Sequence, residues 1–278
     1  MKQKLLDLAI TFLQGIISLA GNKNAPAIAA HLAERLTPIV TQQTPSGRIQ
    51  FYCPGKLPEW RARTLLTKEP DTIEWINTFQ DGEVLWDIGA NIGVYTLYAA
   101  KRGIKVLAFE PGPANYYVLN RNIELNKFDD HVSALCIAFD ENTVLDALYM
   151  SRTDYGGALS SFAEAVDWEG KTYRATFRQA AVGFRVDDFI AQFQPLFPTH
   201  IKLDVDGNEG KVIAGAQKIL SDNRLHSVLI ELNEERPGDQ AVRSMFEENG
   251  FTLEQKSRVT EREESKFYHV SNHIFRRQ

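Results

Sequence analysis

Cysteine is scarce in this 278-residue chain: Cys53 and Cys136 stand alone, with no CxxC pair. That excludes a disulfide framework, argues against a zinc site, and fits a reducing, cytoplasmic setting. Positive charge is not in excess either, with 31 Lys and Arg against 36 Asp and Glu and a formal net charge of −5. A chain without a basic footprint is not expected to bind duplex nucleic acid. No uninterrupted apolar run reaches the ~20 residues that cross a bilayer. Glycine (18) and proline (11) are at ordinary levels and no internal repeat is present, which rules out collagen-like and low-complexity architectures. What remains is 44% hydrophobic residues, enough for a substantial core in one elaborated domain or a domain with an extension.

The nearest approach to a long apolar run is Leu5 to Ala20, broken by Asp7, Gln14 and Gly15. Leu5, Ala9, Phe12, Ile16 and Leu19 recur at helical spacing and predict an amphipathic helix. Packing or self-association is one reading of it and membrane-surface contact another, although the polar face is not strongly basic. Lys2 and Lys4 before it and Ser18-Leu19-Ala20 behind it also mimic a secretory leader, whose apolar centre Asp7 and Gln14 would spoil.

A second helix is expected over Asn24–Leu36, then a polar linker over Thr41–Gly47, a strand over Arg48–Cys53 and, from the capping-box spacing of Asp71 and Glu74, a helix from Asp71 to Phe79. Residues 1–80 therefore read as a helical extension with a short strand, and 81–278 as the main domain. From Glu83 the texture alternates strand and helix. Strands are expected at Val84–Trp86, Lys105–Phe109, Val132–Phe139, Ile201–Val205 and Ser227–Leu232, with closing strands at Phe251–Gln255 and Phe267–Phe275. This alternation predicts a mostly parallel sheet covered on both faces. The long stretch Glu141–Gly183 reads as a β insertion, with Asp154–Ser161 as its loop.

Trp86-Asp87-Ile88-Gly89-Ala90-Asn91-Ile92-Gly93 carries the most information. It lies where a buried strand turns into a helix, the place in a doubly wound sheet where ligands meet exposed backbone N–H groups. Glu110 ends the next strand, 23 residues beyond Asp87, where a carboxylate takes ribose hydroxyls; Pro111 and Pro113 stiffen the loop behind it. A dinucleotide site would need a second glycine where Asn91 stands. The asparagine favours the amino-acid end of S-adenosylmethionine over a diphosphate.

These residues resemble the FkbM family of S-adenosylmethionine-dependent methyltransferases. The likeness rests on Leu85–Gly93, Ala108–Pro113, Val186–Phe189 and Ile201–Glu209, within Glu83–Leu232. The family more often has Glu where Asp206 stands. The resemblance implies a class I methyltransferase (Rossmann-like) α/β fold, seven-stranded with an antiparallel last strand, and methyl transfer to a hydroxyl of a sugar, polyketide or similar molecule. By position it implies Asp87, Gly89, Ala90, Asn91 and Gly93 at the methionine end, Glu110 and Pro111 at the ribose, and Asp140 at the adenine. A turn role for Asp140 is the alternative.

Period two places Lys202, Asp204 and Asp206 on one face of the fourth strand, and Glu231 and Asn233 on one face of the fifth. Three readings stay open: these residues align an acceptor hydroxyl with Asp204 or a neighbour as base; Asp204, Glu231 and Asn233 hold Mg²⁺; or Lys202 forms a structural ion pair. His200 reads as a surface or cap residue before a catalytic one. Lys68–Asp71 either borders the cofactor or caps a helix. A nicotinamide-dependent oxidoreductase and a non-catalytic nucleoside-binding module remain as rivals.

Overall fold

The computed structural model describes residues 2–233, 235–258, 264–265 and 267–278. They form two compact units, 1–39 and 40–278. The first holds two helices, Lys2–Ser18 and Gly21–Leu36, separated at Gly21, whose φ of +76° suits a residue without a side chain. Leu5, Leu8, Phe12 and Leu19 are exposed, and the second helix buries none of its residues.

The second unit is built on a seven-stranded sheet: β1 (Val84–Ile88), β2 (Lys105–Phe109), β3 (Val132–Leu135), β4 (His200–Leu203), β5 (Ser227–Asn233), β6 (Phe251–Arg258) and β7 (Val270–Arg277), in the order β6-β7-β5-β4-β1-β2-β3. β1 to β5 run parallel, and β7 lies antiparallel between β5 and β6. β1 is buried along its whole length because helices cover both faces of the sheet. On one face Trp86, Phe109, Phe139 and Phe189 interlock ring to ring. On the other, Leu85 and Ala108 share a core with Ile49, Phe51, Leu65, Trp75 and Ile76.

That second core moves the expected domain boundary. The compact unit begins at Val40 and not at residue 81, since Ile49 and Phe51 are completely buried within it. The expected linker Thr41–Gly47 is largely a strand, Ile39–Thr44, paired with Gly47–Tyr52. Asn122 secures the hairpin, accepting from Tyr52 N–H (2.7 Å) and donating to the Ile92 carbonyl (2.8 Å). After a short helix, Lys56–Arg63, the helix expected from Asp71 is Pro70–Asn77 with Glu69 at its N-cap; Asp71 instead accepts from Gln255 Nε2 at 2.8 Å. Proline at the first helical position, with φ preset, moves the start one residue upstream.

The expected third strand Val132–Phe139 breaks after Leu135. Ala138–Phe139 leaves the main sheet and pairs with Phe177–Phe184 in a second, four-stranded sheet that also contains Val144–Met150 and Ser160–Phe162. This sheet is the β insertion, standing beside the carboxyl edge of the main one.

His200 is neither a surface residue nor part of the cleft. It opens β4 at the opposite end of the sheet, stacked on Phe79 at 3.8 Å, with its ring nitrogens 2.7 Å from Ser227 Oγ and 2.9 Å from Glu83 Oε2. Burial drives its pKa from 6.5 down to about 4, so the folded chain keeps it neutral. The unfolded chain takes up a proton through pH 6.5 that the folded one refuses until pH 4. Its contribution to stability is therefore intact above pH 6.5 and lost as pH falls toward 4. Urea unfolding should show about 2 kcal/mol less stability at pH 5 than at pH 7.5 from this residue, and His200→Gln should remove that share of the pH dependence.

Candidate active site

β1 enters a turn at Gly89 that only glycine fits. Its φ is +84°, and a Cβ there would lie 1.8 Å from the Asp204 carbonyl oxygen. The N–H groups of Gly89 and Ala90 donate to the Phe109 carbonyl at 2.9 and 3.0 Å, tying the turn to the end of β2. Asn91 follows with φ +52°, and its N–H donates to Glu110 Oε2 at 2.8 Å. The other carboxylate oxygen of Glu110 accepts from Gly112 N–H at 2.8 Å. Burial, partly offset by these N–H groups, pushes the Glu110 carboxyl up to about 7. Gly93, by contrast, is not among the residues bordering the cleft; its φ is +85°, and a Cβ there would lie 2.4 Å from Leu119 Cδ1.

A cleft of about 500 Å³ opens above this edge, bordered by Gly89, Asn91, Glu110, Pro111, Asp204 and Asp206. Beside it lies a void of about 30 Å³ bounded by Asp87, Ala90, Lys202 and Asp204. Asp87 is 1% exposed. Its Oδ2 accepts from Thr96 Oγ1 at 2.5 Å, while its Oδ1 is buried without a hydrogen-bond partner. A lone buried carboxylate oxygen requires an explanation. Together with the glycine turn and Glu110, it fits a nucleoside whose tail carries a cation.

Lys202, 2% exposed, places Nζ 2.8 Å from Asp204 Oδ2 and over the ring of Tyr95. Burial alone would lower its pKa, but Asp204, Asp87 and Glu69 together hold it above the ordinary lysine value. Burial acts on Asp204 in the opposite sense and is outweighed by Lys202 and Lys68, which hold that carboxyl below the usual range. β4 ends at Leu203, so Asp206 is not a strand residue as the period suggests. It sits in a turn at φ +58° that brings it to the cleft, with Oδ2 accepting from Leu159 N–H at 2.5 Å. Burial and the neighbouring Asp204 raise it to about 6. Glu231 lines the cleft as well, and burial with Asp204 and Glu209 nearby raises it well above the usual value.

Asp140 is not among the residues that border the cleft, although Ala138 and Phe139 just before it are; its N–H donates to the Phe184 carbonyl, and its Oδ2 is buried without a partner. Asn233 also lies off the cleft, its Oδ1 accepting from Glu235 N–H at 3.1 Å, so the set proposed for Mg²⁺ is not assembled. Among the described residues no group of three or more His, Cys, Asp or Glu side chains is placed to hold a metal.

The site also has members that sequence reasoning did not find. Asn91 Nδ2 and Asn115 Nδ2 both donate to the Gly157 carbonyl (2.8 and 2.9 Å), and Asn115 Oδ1 accepts from Gly156 N–H at 2.8 Å. Arg61 Nε donates to the Gly156 carbonyl at 2.9 Å. The insertion loop around Asp154–Leu159 is thus held over the cleft by its backbone. The Asn91 side chain, on the border of the cleft, is thus one of the groups that hold this loop.

A parallel sheet with a reversed last strand, a glycine turn after β1 and a carboxylate after β2 define a class I S-adenosylmethionine-dependent methyltransferase. Residues 87–253 match the methyltransferase FkbM domain, and the chain belongs to that family. Among its relatives are methyltransferase 1 of Beauveria bassiana, 26% identical over 189 residues (63% of this chain and 74% of the relative), and the 31-O-demethyl-FK506 methyltransferase FkbM of Streptomyces tacrolimicus, 27% identical over 193 residues (62% and 74%). Among solved structures, the magnesium protoporphyrin IX methyltransferase of Synechocystis PCC 6803 aligns with a TM-score of 0.48 at 10% identity, over 81% of this chain and 86% of that one. The family match decides against the nicotinamide-dependent alternative. No described helix is long and apolar enough to cross a membrane.

Asn115→Ala removes hydrogen bonds at both Gly156 and Gly157, which should free the loop. Trypsin cleavage after Arg152 should accelerate about 5- to 20-fold, as expected for the loss of 1–2 kcal/mol of local stability, with the far-ultraviolet circular dichroism unchanged. An unaltered cleavage rate would contradict the clamp.

Proposed function

We propose that this enzyme methylates a hydroxyl oxygen of a small molecule or glycan, and that Asp206 takes the proton of that hydroxyl. Bound S-adenosylmethionine supplies a methyl group already activated by its positive sulfur. The protein's share is then alignment, exclusion of water and removal of a proton. Glu110 would hold the ribose, the turn at Gly89–Asn91 the amino-acid end, and the unpartnered Asp87 Oδ1 its ammonium.

The observation that carries the proposal is Asp206: a half-buried carboxyl on the cleft, raised to about 6, close to the pH at which an efficient base works. Asp204 is a poor base by comparison, because its ion pair with Lys202 disfavours protonation. We therefore assign Lys202 and Asp204 as positioning residues that set the floor of the cleft. Glu231 lines the same cleft, and burial with Asp204 and Glu209 nearby favours its neutral form. For residues 1–39 we retain a role in self-association, which the exposed apolar side chains of the first helix support.

A transfer assay with tritium-labelled methyl groups over glycans and polyketide-type alcohols tests the reaction. Label in oxygen ethers is expected, and label confined to nitrogen or carbon acceptors would refute the assignment. With an acceptor in hand, kcat should rise with pH through a midpoint near 6 as Asp206 deprotonates. Asp206→Asn should lower kcat by about 10²- to 10⁴-fold and abolish that limb, while S-adenosylhomocysteine binding persists.

A further inference from the structure

Two cations from outside the matched family domain reach the cofactor end of the cleft. Arg61 lies on the helix Lys56–Arg63 and Lys68 in the bend before Pro70–Asn77, both upstream of residue 87 where the family match begins. Each lines the large cleft and also the small void shared with Asp87, Gly89, Lys202 and Asp204. These cations differ in how far their charge is already used. Lys202 is buried and spent on Asp204. Lys68 pairs with Glu69, but its side chain is 31% exposed and its ammonium has further donors to offer. Arg61 donates one hydrogen bond, to the Gly156 carbonyl, and among the described residues it has no ion-pair partner. Its guanidinium fork matches a carboxylate in shape and hydrogen-bond geometry.

The anionic side of this cluster carries an unpartnered acceptor. Asp87 Oδ1 is buried without a partner on the same void. A group bearing one ammonium and one carboxylate, a few bonds apart, would satisfy both. Asp87, Asp204 and Glu69 already balance Arg61, Lys68 and Lys202, so a zwitterion adds no net charge to a partly buried site.

We infer that Arg61 and Lys68 bind the α-carboxylate of the cofactor's amino-acid end, opposite Asp87. This rests on the adenosyl-cofactor reading and goes beyond it by giving part of the cofactor site to the segment before the family domain. It also gives Arg61 two tasks, since the same guanidinium holds the insertion loop at Gly156. Occupation of the amino-acid subsite would thereby brace the loop over the acceptor.

Calorimetry with two ligands tests the assignment: S-adenosylhomocysteine, which has the amino-acid end, and 5′-methylthioadenosine, which lacks it. The variants are Arg61→Gln, which keeps a donor for Gly156, Lys68→Met, and the double substitution. Each single variant should weaken S-adenosylhomocysteine about 10- to 100-fold, as expected for a charge-assisted hydrogen bond, and leave 5′-methylthioadenosine within about twofold. Retained binding of the second ligand also reports that the variant is folded. Unchanged S-adenosylhomocysteine affinity, equal loss of both ligands, or a defect confined to acceptor KM would overturn the inference. A wild-type chain that binds neither ligand would overturn the adenosyl-cofactor reading itself, a result separable from any of these.

Discussion

One carboxylate organises the cleft. Glu110 is fixed from two directions, by Asn91 N–H at the end of the glycine turn and by Gly112 N–H in its own loop, with one oxygen committed to each. Asn115, whose amide lies 3.4 Å from the Gly112-bound oxygen, carries the same arrangement on to Gly156 and Gly157 in the insertion. The turn after β1, the loop after β2 and the loop over the acceptor therefore share a common anchor. A group that large and charged, buried at 6% exposure, is tolerable because backbone dipoles surround it. The residue best placed for a ribose is also the residue that sets the geometry around it.

The polar floor answers the same problem with side chains. Lys202 would be costly in the middle of a parallel sheet without Asp204, and removing Asp204 would take from that buried ammonium its hydrogen-bonded counter-charge. Ionised Asp204 in turn raises Asp206 and Glu231 by repulsion. A structural ion pair thus tunes two neighbouring carboxyls without touching the reacting atoms. The readings of this cluster as structural or chemical are compatible: the pair supplies the electrostatic field, and Asp206 beside it is the carboxyl proposed to take the proton.

The scaffold was legible wherever local pattern and burial agree. β1, β2, β4 and β5 are short apolar runs because both sheet faces are covered, and Gly89 declares itself since the Asp204 carbonyl leaves no room for a side chain. Legibility fails where a second element competes. Val132–Phe139 reads as one strand, yet its last two residues pair with Phe177–Phe184 in the second sheet. The strand Ile39–Thr44 was hidden by its polar, half-exposed sequence. Asp206 was misread through period two, although the following Gly207, at φ +110°, signals a turn. Arg61 and Asn115 gave no local sign at all, since they meet the loop at separations of 95 and 42 residues.

Those separations bear on how such a fold acquires specificity. The strand-end carboxylates form the floor of the cleft, and its walls come from two other places: Trp60 and Arg61 from the segment before the matched domain, and Arg152, Asp154 and Ser160 from the insertion within it. Both walls meet at one backbone carbonyl, Gly156, with φ +74° and no space for a side chain against Leu57 and Pro58. A change in either wall alters the fit at that point, while the sheet and its carboxylates stay as they are. The walls can therefore diverge while the sheet is kept, and the loop stays tied to the cleft through Asn91, Asn115, Arg61 and Asp206.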